Sequence, residues 1–289
     1  MNSAVLFGLV SALSYGVTDY LSRVAGRAVG VWRSLFYGDL LAFILLSAWF
    51  LVAPGARGFE LAGHAGAWAA SVASAIILLA SAASLTRGFM TGTLAVVAPV
   101  AASYGAITAV LSAAAGEHLS GKAVAGLAVT VLGVCLVSIP PGARSQFKAH
   151  LHSSGLGWAL GAAVGYGFGF WLQGTFAVPV LGAFMPVWLA YAVAILLMAV
   201  FSRPWQVSLA LPDRAALVPV LATGAFSVVA YVALSLGLAT GRVAIVVVLS
   251  TLASAVTVLL ARLLDDARVA KHQWLAIAVI MVGLVLIRS

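Results

Sequence analysis

Leu85-Thr86-Arg87-Gly88-Phe89-Met90-Thr91-Gly92-Thr93-Leu94-Ala95-Val96-Val97 returns 149 positions on as Leu234-Ser235-Leu236-Gly237-Leu238-Ala239-Thr240-Gly241-Arg242-Val243-Ala244-Ile245-Val246. Leu, Gly, Thr, Gly, Ala and Val recur at the same places, and Thr86/Ser235, Leu94/Val243 and Val96/Ile245 are conservative exchanges. The same spacing pairs Gly8 with Gly157, Gly16 with Gly165 and Glu117 with Asp266. The chain therefore reads as one unit written twice, and a repeat of this kind decides the architecture before any local signal does.

Composition identifies the solvent. Of 289 residues, 64% are hydrophobic and 8% are charged, and the mean hydropathy is +1.16. A soluble domain carries about 25% charged residues, because its surface faces water. The long apolar runs lack the period-2 alternation of a membrane β-barrel. The expected fold is therefore all-α, an integral membrane protein, multi-pass and seated in the cell membrane. The lone Cys135 excludes an intramolecular disulfide and reads as core packing. The net charge of +8 does not point to nucleic acid, since the basic residues stand singly at helix ends, where they anchor to headgroups and set topology. The absence of Lys or Arg ahead of the first apolar run argues for a retained first helix.

A span needs ~20 apolar residues. Charges and Pro/Gly clusters divide the chain into ten: Ala4–Ser22, Val31–Ala53, Ala65–Leu85, Thr93–Ala114, Lys122–Ile139, Gly155–Phe176, Val178–Phe201, Arg214–Leu236, Val243–Leu264 and Ala270–Ile287. The longest hydrophilic gap follows the fifth, so residues 1–139 form one repeat, 140–154 a connecting loop and 155–289 the second repeat. Pro212-Asp213 reads as an N-cap for the eighth helix. Five crossings per repeat send the second copy in from the opposite side, which makes the architecture ten helices in two inverted five-helix repeats. Eleven of the fifteen Lys and Arg residues fall in the gaps after odd-numbered helices. Taken alone, this places both termini outside the cytoplasm.

From Leu85 to Val134 the chain carries Leu85/Gly88, Thr91-Gly92, Pro99, the turn Ala115-Gly116-Glu117-His118-Leu119-Ser120, and Gly126 with Gly133. In this set it resembles the EamA domain of the drug/metabolite transporter superfamily. The second half matches from Leu234 to Leu284, with Asp265-Asp266 for Gly-Glu and Val248 where the offset would put Pro99. Tyr15-Gly16 and Arg33 resemble features of the family's first and second helices. The resemblance implies a ten-helix, two-repeat carrier of small metabolites with both termini cytoplasmic, opposite to the charge census. It also implies a peripheral second helix.

Polar residues inside apolar helices are the candidates for chemistry. Ser11, Tyr15 and Asp19 form a stripe at i, i+4 and i+8 on the first helix. A carboxylate in a membrane helix costs on the order of 3 kcal/mol at the centre and should face the bundle interior. Asp19 either pairs with Arg23 near the helix end or serves as proton acceptor or counter-charge for a substrate amine. Asp39 lies deeper, ~12 Å into the second helix at 1.5 Å per residue. Asp19 and Asp39 are the coupling candidates, with protons as the candidate coupling ion. Tyr104 and Thr108 share a face of the fourth helix. Gly157, Gly161, Gly165 and Gly169 make a stripe on the sixth that Gln173 continues, with Tyr166 and Trp171 nearby and Tyr231 on the eighth. The stripe reads first as close helix packing and second as a sliding face for alternating access. Ser11, Tyr15, Asp19, Tyr104, Thr108, Tyr166, Gly169, Trp171, Gln173 and Tyr231 are the expected substrate-binding residues, in a site lined by helices 1, 3, 4, 6, 8 and 9.

Signatures of other classes are missing: the sequence holds no H-E-x-x-H, G-x-S-x-G, Walker A or paired-Cys metal pattern. Tyr37-Gly38-Asp39 resembles half of an intramembrane aspartyl protease signature, but Phe36 replaces its first glycine and the partner Tyr-Asp is reversed as Asp19-Tyr20. No catalytic residue, metal or cofactor is expected. The expected function is a secondary transporter that moves an amino acid or similar amphipathic solute, with export as the direction. The alternatives are a multidrug exporter of the same fold and a non-transporting membrane scaffold or signalling subunit. The expected partners are a small-molecule substrate and the lipid bilayer. The sequence holds no signal for oligomeric state.

Overall fold

The structure is a computed structural model that describes residues 3–53, 64–92, 97, 100–137, 155–204, 206, 208–264 and seven positions between 275 and 286. The connecting loop 140–154, Pro99, Asp265, Asp266, the side chain of Cys135 and most of the expected tenth helix lie outside the described residues. Helices run in the order α1 (Ser3–Val29), α2 (Val31–Val52), α3 (Ala65–Thr91), α4 (Tyr104–Ala114), α5 (Gly121–Val137), α6 (Gly155–Leu172), α7 (Phe184–Ser202), α8 (Arg214–Leu238) and α9, in two pieces, Val243–Ser250 and Ala253–Leu264. No strand occurs among the described residues.

Six stretches are long and apolar enough to cross a membrane: Ser3–Val29, Val31–Val52, Ala65–Thr91, Phe184–Ser202, Arg214–Leu238 and Val243–Ala261. Val100–Ala114 and Gly121–Gly133 are shorter apolar helices. Large apolar side chains point outward along these helices, with Leu13 60%, Leu51 72% and Val218 69% exposed. Such a surface suits hydrocarbon, not water.

Several boundaries differ from expectation: α3 runs on to Thr91 and does not end at Leu85, α7 starts at Phe184 and not at Val178, and α9 is broken after Ser250. Two further differences bear on the site. α1 does not stop at Ser22; it continues to Val29, where Gly30 at φ 84° ends it through an N–H bond to Gly26 at 2.8 Å. Asp19 therefore sits ten residues inside the helix and not at its end. α6 does not break at Ala177; it widens into a π-helical turn at Gln173–Ala177 and runs on through Val178–Leu181 to Gly182, whose φ is 74°. The expected N-cap of the eighth helix is present, with Asp213 Oδ1 accepting from the Ala216 N–H at 2.8 Å, an interaction worth about 1 kcal/mol.

The packing exchanges elements between halves. The most extensive helix contacts are α1 on α8 and α3 on α6, and these are the same pair with the two copies swapped. The contact of α1 with α9 is mirrored by α6 with α4, and that of α2 with α8 by α7 with α3. The self-paired contacts, α2 with α7 and α4 with α9, lie along the line relating the halves. Each carries a cross-link: Trp188 Nε1 donates to Ser47 Oγ at 2.9 Å, and the Tyr104 and Ser250 hydroxyls meet at 2.9 Å.

The structural register of the first helices is not the sequence spacing of 149. Ala4, Gly8, Ser11, Ala12, Gly16 and Thr18 are buried on α1, and Gly155, Ala159, Ala162, Ala163, Gly167 and Gly169 are buried on α6. Those faces superpose at a spacing of 151. Gly8 is thus the counterpart of Ala159, not Gly157, and Gly16 of Gly167, not Gly165. Hydrogen bonding agrees: Thr108 Oγ1 donates to Gly167 O at 2.8 Å, and Thr257 Oγ1 to Gly16 O at 3.1 Å. Contacts agree too, since a Cβ on Gly88 would meet Trp158 and one on Gly237 would meet Phe7. The glycine stripe of α6 packs on α3, where Gly165 faces Ser81 and Gly169 faces Leu78, whereas Gly8 and Gly16 of α1 pack on α9.

Candidate functional site

Correcting the register makes Tyr15 and Tyr166 counterparts, and both face the space between the halves. Three adjoining chambers meet there, and Tyr15 and Tyr166 line all three. They offer about 40, 100 and 90 Å³ to the centre of a water molecule, and one water needs about 10–15 Å³ of such space. The cleft is therefore roomy enough to be wet and is lined by polar groups, the two conditions for holding water.

The first chamber is walled by Asp19, Tyr104, Phe170 and Ser254, the second by Asp39, Phe170, Tyr191 and Tyr231, and the third by both carboxylates with Thr223 and Ser227. No Lys, Arg or His lines any of them among the described residues. The aromatic rings form a connected cluster. Tyr166 and Phe170 stack with centroids 5.5 Å apart at 12°, Tyr104 lies 5.8 Å from Tyr166, and Tyr231 lies 6.2 Å from Phe170 and 5.9 Å from Tyr191. Edge and offset arrangements at these separations are favourable for π-systems. Tyr191 is held by Ser227 at 3.0 Å, and the Tyr231 hydroxyl donates to Gln173 Oε1.

Two helices are interrupted at the cleft, α9 at Thr251 and Leu252, and the apolar stretch Val100–Ala114 at Ser103. Ser103 N–H bonds to Val100 O at 3.2 Å, and its counterpart Leu252 N–H bonds to Leu249 O at 3.1 Å. The Ser103, Ser250 and Thr251 hydroxyls each bond back to a carbonyl three residues earlier, a device that bends helices. Ala101, Ala102, Tyr104, Ala253 and Ser254, around the two bends, line the first chamber. Interrupted helices inside a membrane protein are tolerated where they line a cavity.

Of the residues singled out from sequence, Tyr15, Asp19, Asp39, Tyr104, Tyr166 and Tyr231 come together at the cleft. Gln173 stands behind it, fully buried in the π turn and bonded to Tyr231. Ser11 is buried without lining a chamber, Thr108 spends its hydroxyl on Gly167, and Gly169 packs on Leu78. Trp171 points elsewhere and packs on Phe168 and Phe176. Helices α2 and α7 line the cleft as well, so α2 is not peripheral. Arg33 is no neighbour of Asp39; its Nε donates to Ala210 O at 2.9 Å. Phe170, Tyr191 and Ser227 were not anticipated. The signal for Tyr191 was present, because α7 holds almost no other hydroxyl.

At the ends of the bundle the halves differ in chemistry. The Arg87 guanidinium lies over the Trp158 ring at 5.2 Å. Its counterparts, Leu236 and Phe7, line an apolar groove instead. Glu117, in the turn between α4 and α5, reaches the other half and accepts from the Ala244 N–H at the start of α9, Oε2 to N 3.0 Å. Burial pushes the Glu117 carboxyl above the ordinary glutamate value, with the Ala244 bond and Arg242 opposing. A raised value in the folded state favours the protonated form. Its contribution to stability is full below the ordinary value near ~4.3 and is lost as pH rises through the shifted one. Glu117→Gln is expected to remove that loss, so its thermal midpoint gains on the parent's as pH increases. Parallel midpoint profiles for parent and variant would contradict this.

These features define a multi-pass helical membrane protein, duplicated, with a polar cleft between its copies. The chain belongs to the EamA-like transporter family, whose model matches residues 2–139 and again 153–289. It is an EamA-type protein of the drug/metabolite transporter superfamily. A solved structure, titled only as the crystal structure of a protein, shares this fold with a TM-score of 0.77 at 18% identity, covering 99% of this chain and 96% of that one. None of the curated proteins matches the chain by sequence.

Proposed function

We propose that the protein is a secondary transporter that moves a small amphipathic solute, of the size of an amino acid, across the cell membrane by alternating access, with export as its direction. The reading takes the chain as ten crossings in two inverted five-helix repeats, 1–139 and 155–289, joined by 140–154. The observation that carries it is the polar cleft between halves that exchange their helix contacts pairwise. Two contacts between helix ends support five crossings per half. Gly92, after α3, touches Gly155, at the start of α6, and Glu117, after α4, touches Ala244, at the start of α9. Both meetings follow naturally if successive helices alternate in direction and the second copy starts from the side where the fifth helix ends.

Tyr15, Asp19, Tyr104, Tyr166 and Tyr231 form the binding surface, Gln173 orients Tyr231, and Asp19 and Asp39 carry the coupling proton. The test is flux by the full chain in proteoliposomes across a metabolite panel, with and without an imposed pH gradient. Asp19→Asn or Asp39→Asn is expected to abolish proton-driven flux while solute exchange survives. Proton-driven flux that persists in both variants removes the coupling assignment, and the absence of any flux in the parent removes the transport reading.

A further inference from the structure

The cleft has a sharply one-sided charge inventory. Asp19 and Asp39 both line the third chamber, one lines each of the other two, and no basic side chain lines any chamber among the described residues. A zwitterionic amino acid brought here would add a third carboxylate with no cationic side chain to receive it. Burial makes such a mismatch costly, because an uncompensated charge loses its hydration. An ammonium group meets the opposite situation, with two acids to balance its charge.

The walls supply the rest of the recognition. Tyr166 lines the third chamber together with both Asp19 and Asp39 and stacks on Phe170. Tyr15 and Tyr104 complete an aromatic surround on the Asp19 side, and Tyr191 and Tyr231 on the Asp39 side. A cation within about 6 Å of a ring centroid is attracted by the ring's negative face. Among the described residues the acids lining the cleft come only from the first half, and the counterpart of Asp19 bears no charge: it is Phe170 at the spacing of 151 that superposes the buried faces of α1 and α6. Leu85 and Phe89 add an apolar wall beside Asp19.

On the reading that this cleft is the solute site of a transporter, we propose that it selects organic cations, ammonium compounds with an aromatic or branched apolar body and no carboxylate, over zwitterionic amino acids of the same skeleton. Phenethylamine, phenylalanine and 3-phenylpropionate share a ring and differ in charge, which makes them the probes. Binding to the purified full chain is measured by calorimetry, and transport by currents from proteoliposomes on a solid-supported membrane. Phenethylamine is expected to bind at least about tenfold more tightly than phenylalanine, with no heat from 3-phenylpropionate. Asp19→Asn and Asp39→Asn should each weaken phenethylamine by about tenfold or more. Tyr166→Phe should keep its affinity and Tyr166→Leu lose about tenfold, since the ring face and not the hydroxyl holds the cation. The Tyr166 pair decides the matter if either asparagine variant fails to fold. Phenylalanine binding as tightly as phenethylamine, binding of 3-phenylpropionate, or no binding by any of the three overturns the proposal. Selective phenethylamine binding without current would keep the cation preference and remove transport. Phenylalanine current without phenethylamine binding would do the reverse.

Discussion

Gly224→Val is expected to yield little folded, monodisperse protein and no flux. A Cβ built on Gly224 lies 2.9 Å from Gly38 C and 3.0 Å from Gly38 Cα and is still closer to the Gly38 carbonyl oxygen. All three obstacles are backbone, so no side chain can swing aside. Overpacking a filled interior costs about 1–3 kcal/mol per added methyl-sized group, and valine adds three carbons where not even one fits. The position matters for function because Gly38 and Gly224 both line the third chamber, and Gly38 precedes Asp39. Forcing α2 away from α8 there displaces the carboxylate along with the backbone. The control is Gly161→Ala, whose Cβ meets only Ser84 Oγ at 3.6 Å, an ordinary contact. Detergent thermal midpoints and flux should be near parental for Gly161→Ala and lost for Gly224→Val. Equal tolerance of both would show that α2 and α8 separate easily and that the close approach holds nothing in place.

Gly38 also shows where a local motif misleads. Beside Tyr37 and Asp39 it resembles a fragment of a protease signature, but the structure gives each of the three a separate reason. Gly38 admits the α8 backbone, Tyr37 Oη donates to Leu209 O at 2.7 Å to strap down the segment before α8, and Asp39 lines the cleft. The duplication, the helical class and six residues of the cleft, Tyr15, Asp19, Asp39, Tyr104, Tyr166 and Tyr231, were readable because a hydroxyl or carboxyl in an apolar helix stands out against its neighbours. Phe170 does not stand out, being one apolar residue in an apolar helix, and Trp171 was the aromatic that drew notice instead. Neighbouring residues on a helix point about 100° apart, so an error of one position turns a side chain out of the cleft. The register of α6 was hidden for a related reason. Glycines at every fourth position make the helix self-similar, and a match to α1 can slide along it without penalty. Only the buried face resolves the slide. The exchange of packing between halves was equally unreadable, since it depends on contacts between segments far apart in the chain.

Gly92→Asn and Gly241→Asn separate the two copies of the duplicated stretch, although the glycines occupy the same place in it. Gly241 adopts φ 76° and has no atom within 4 Å of a built Cβ. Its requirement is conformational, and asparagine visits that region more readily than other residues. Gly92 is extended, at φ −108°, so backbone conformation asks nothing of it. There a Cβ would lie 2.8 Å from Gly155 Cα and 2.8 Å from Val97 Cγ2, at the meeting of the end of α3 with the start of α6. Gly241→Asn is expected to keep near-parental stability and flux, with Gly241→Ala about 1 kcal/mol worse. Gly92→Asn and Gly92→Ala should both lose stability, by about 1–3 kcal/mol for the alanine, with flux falling as the two halves part at that end. The counterpart of Gly155 is Ala4, buried on α1, so the second copy carries a methyl where the first has none. The asymmetry is one of packing: helix ends meet closely at Gly92 and Gly155, whereas Gly241 has no atom within 4 Å of a built Cβ and serves its turn. If Gly92→Asn and Gly241→Asn prove equally mild, the halves are not clamped through Gly92 and Gly155, and the glycine at 92 has no role beyond its turn.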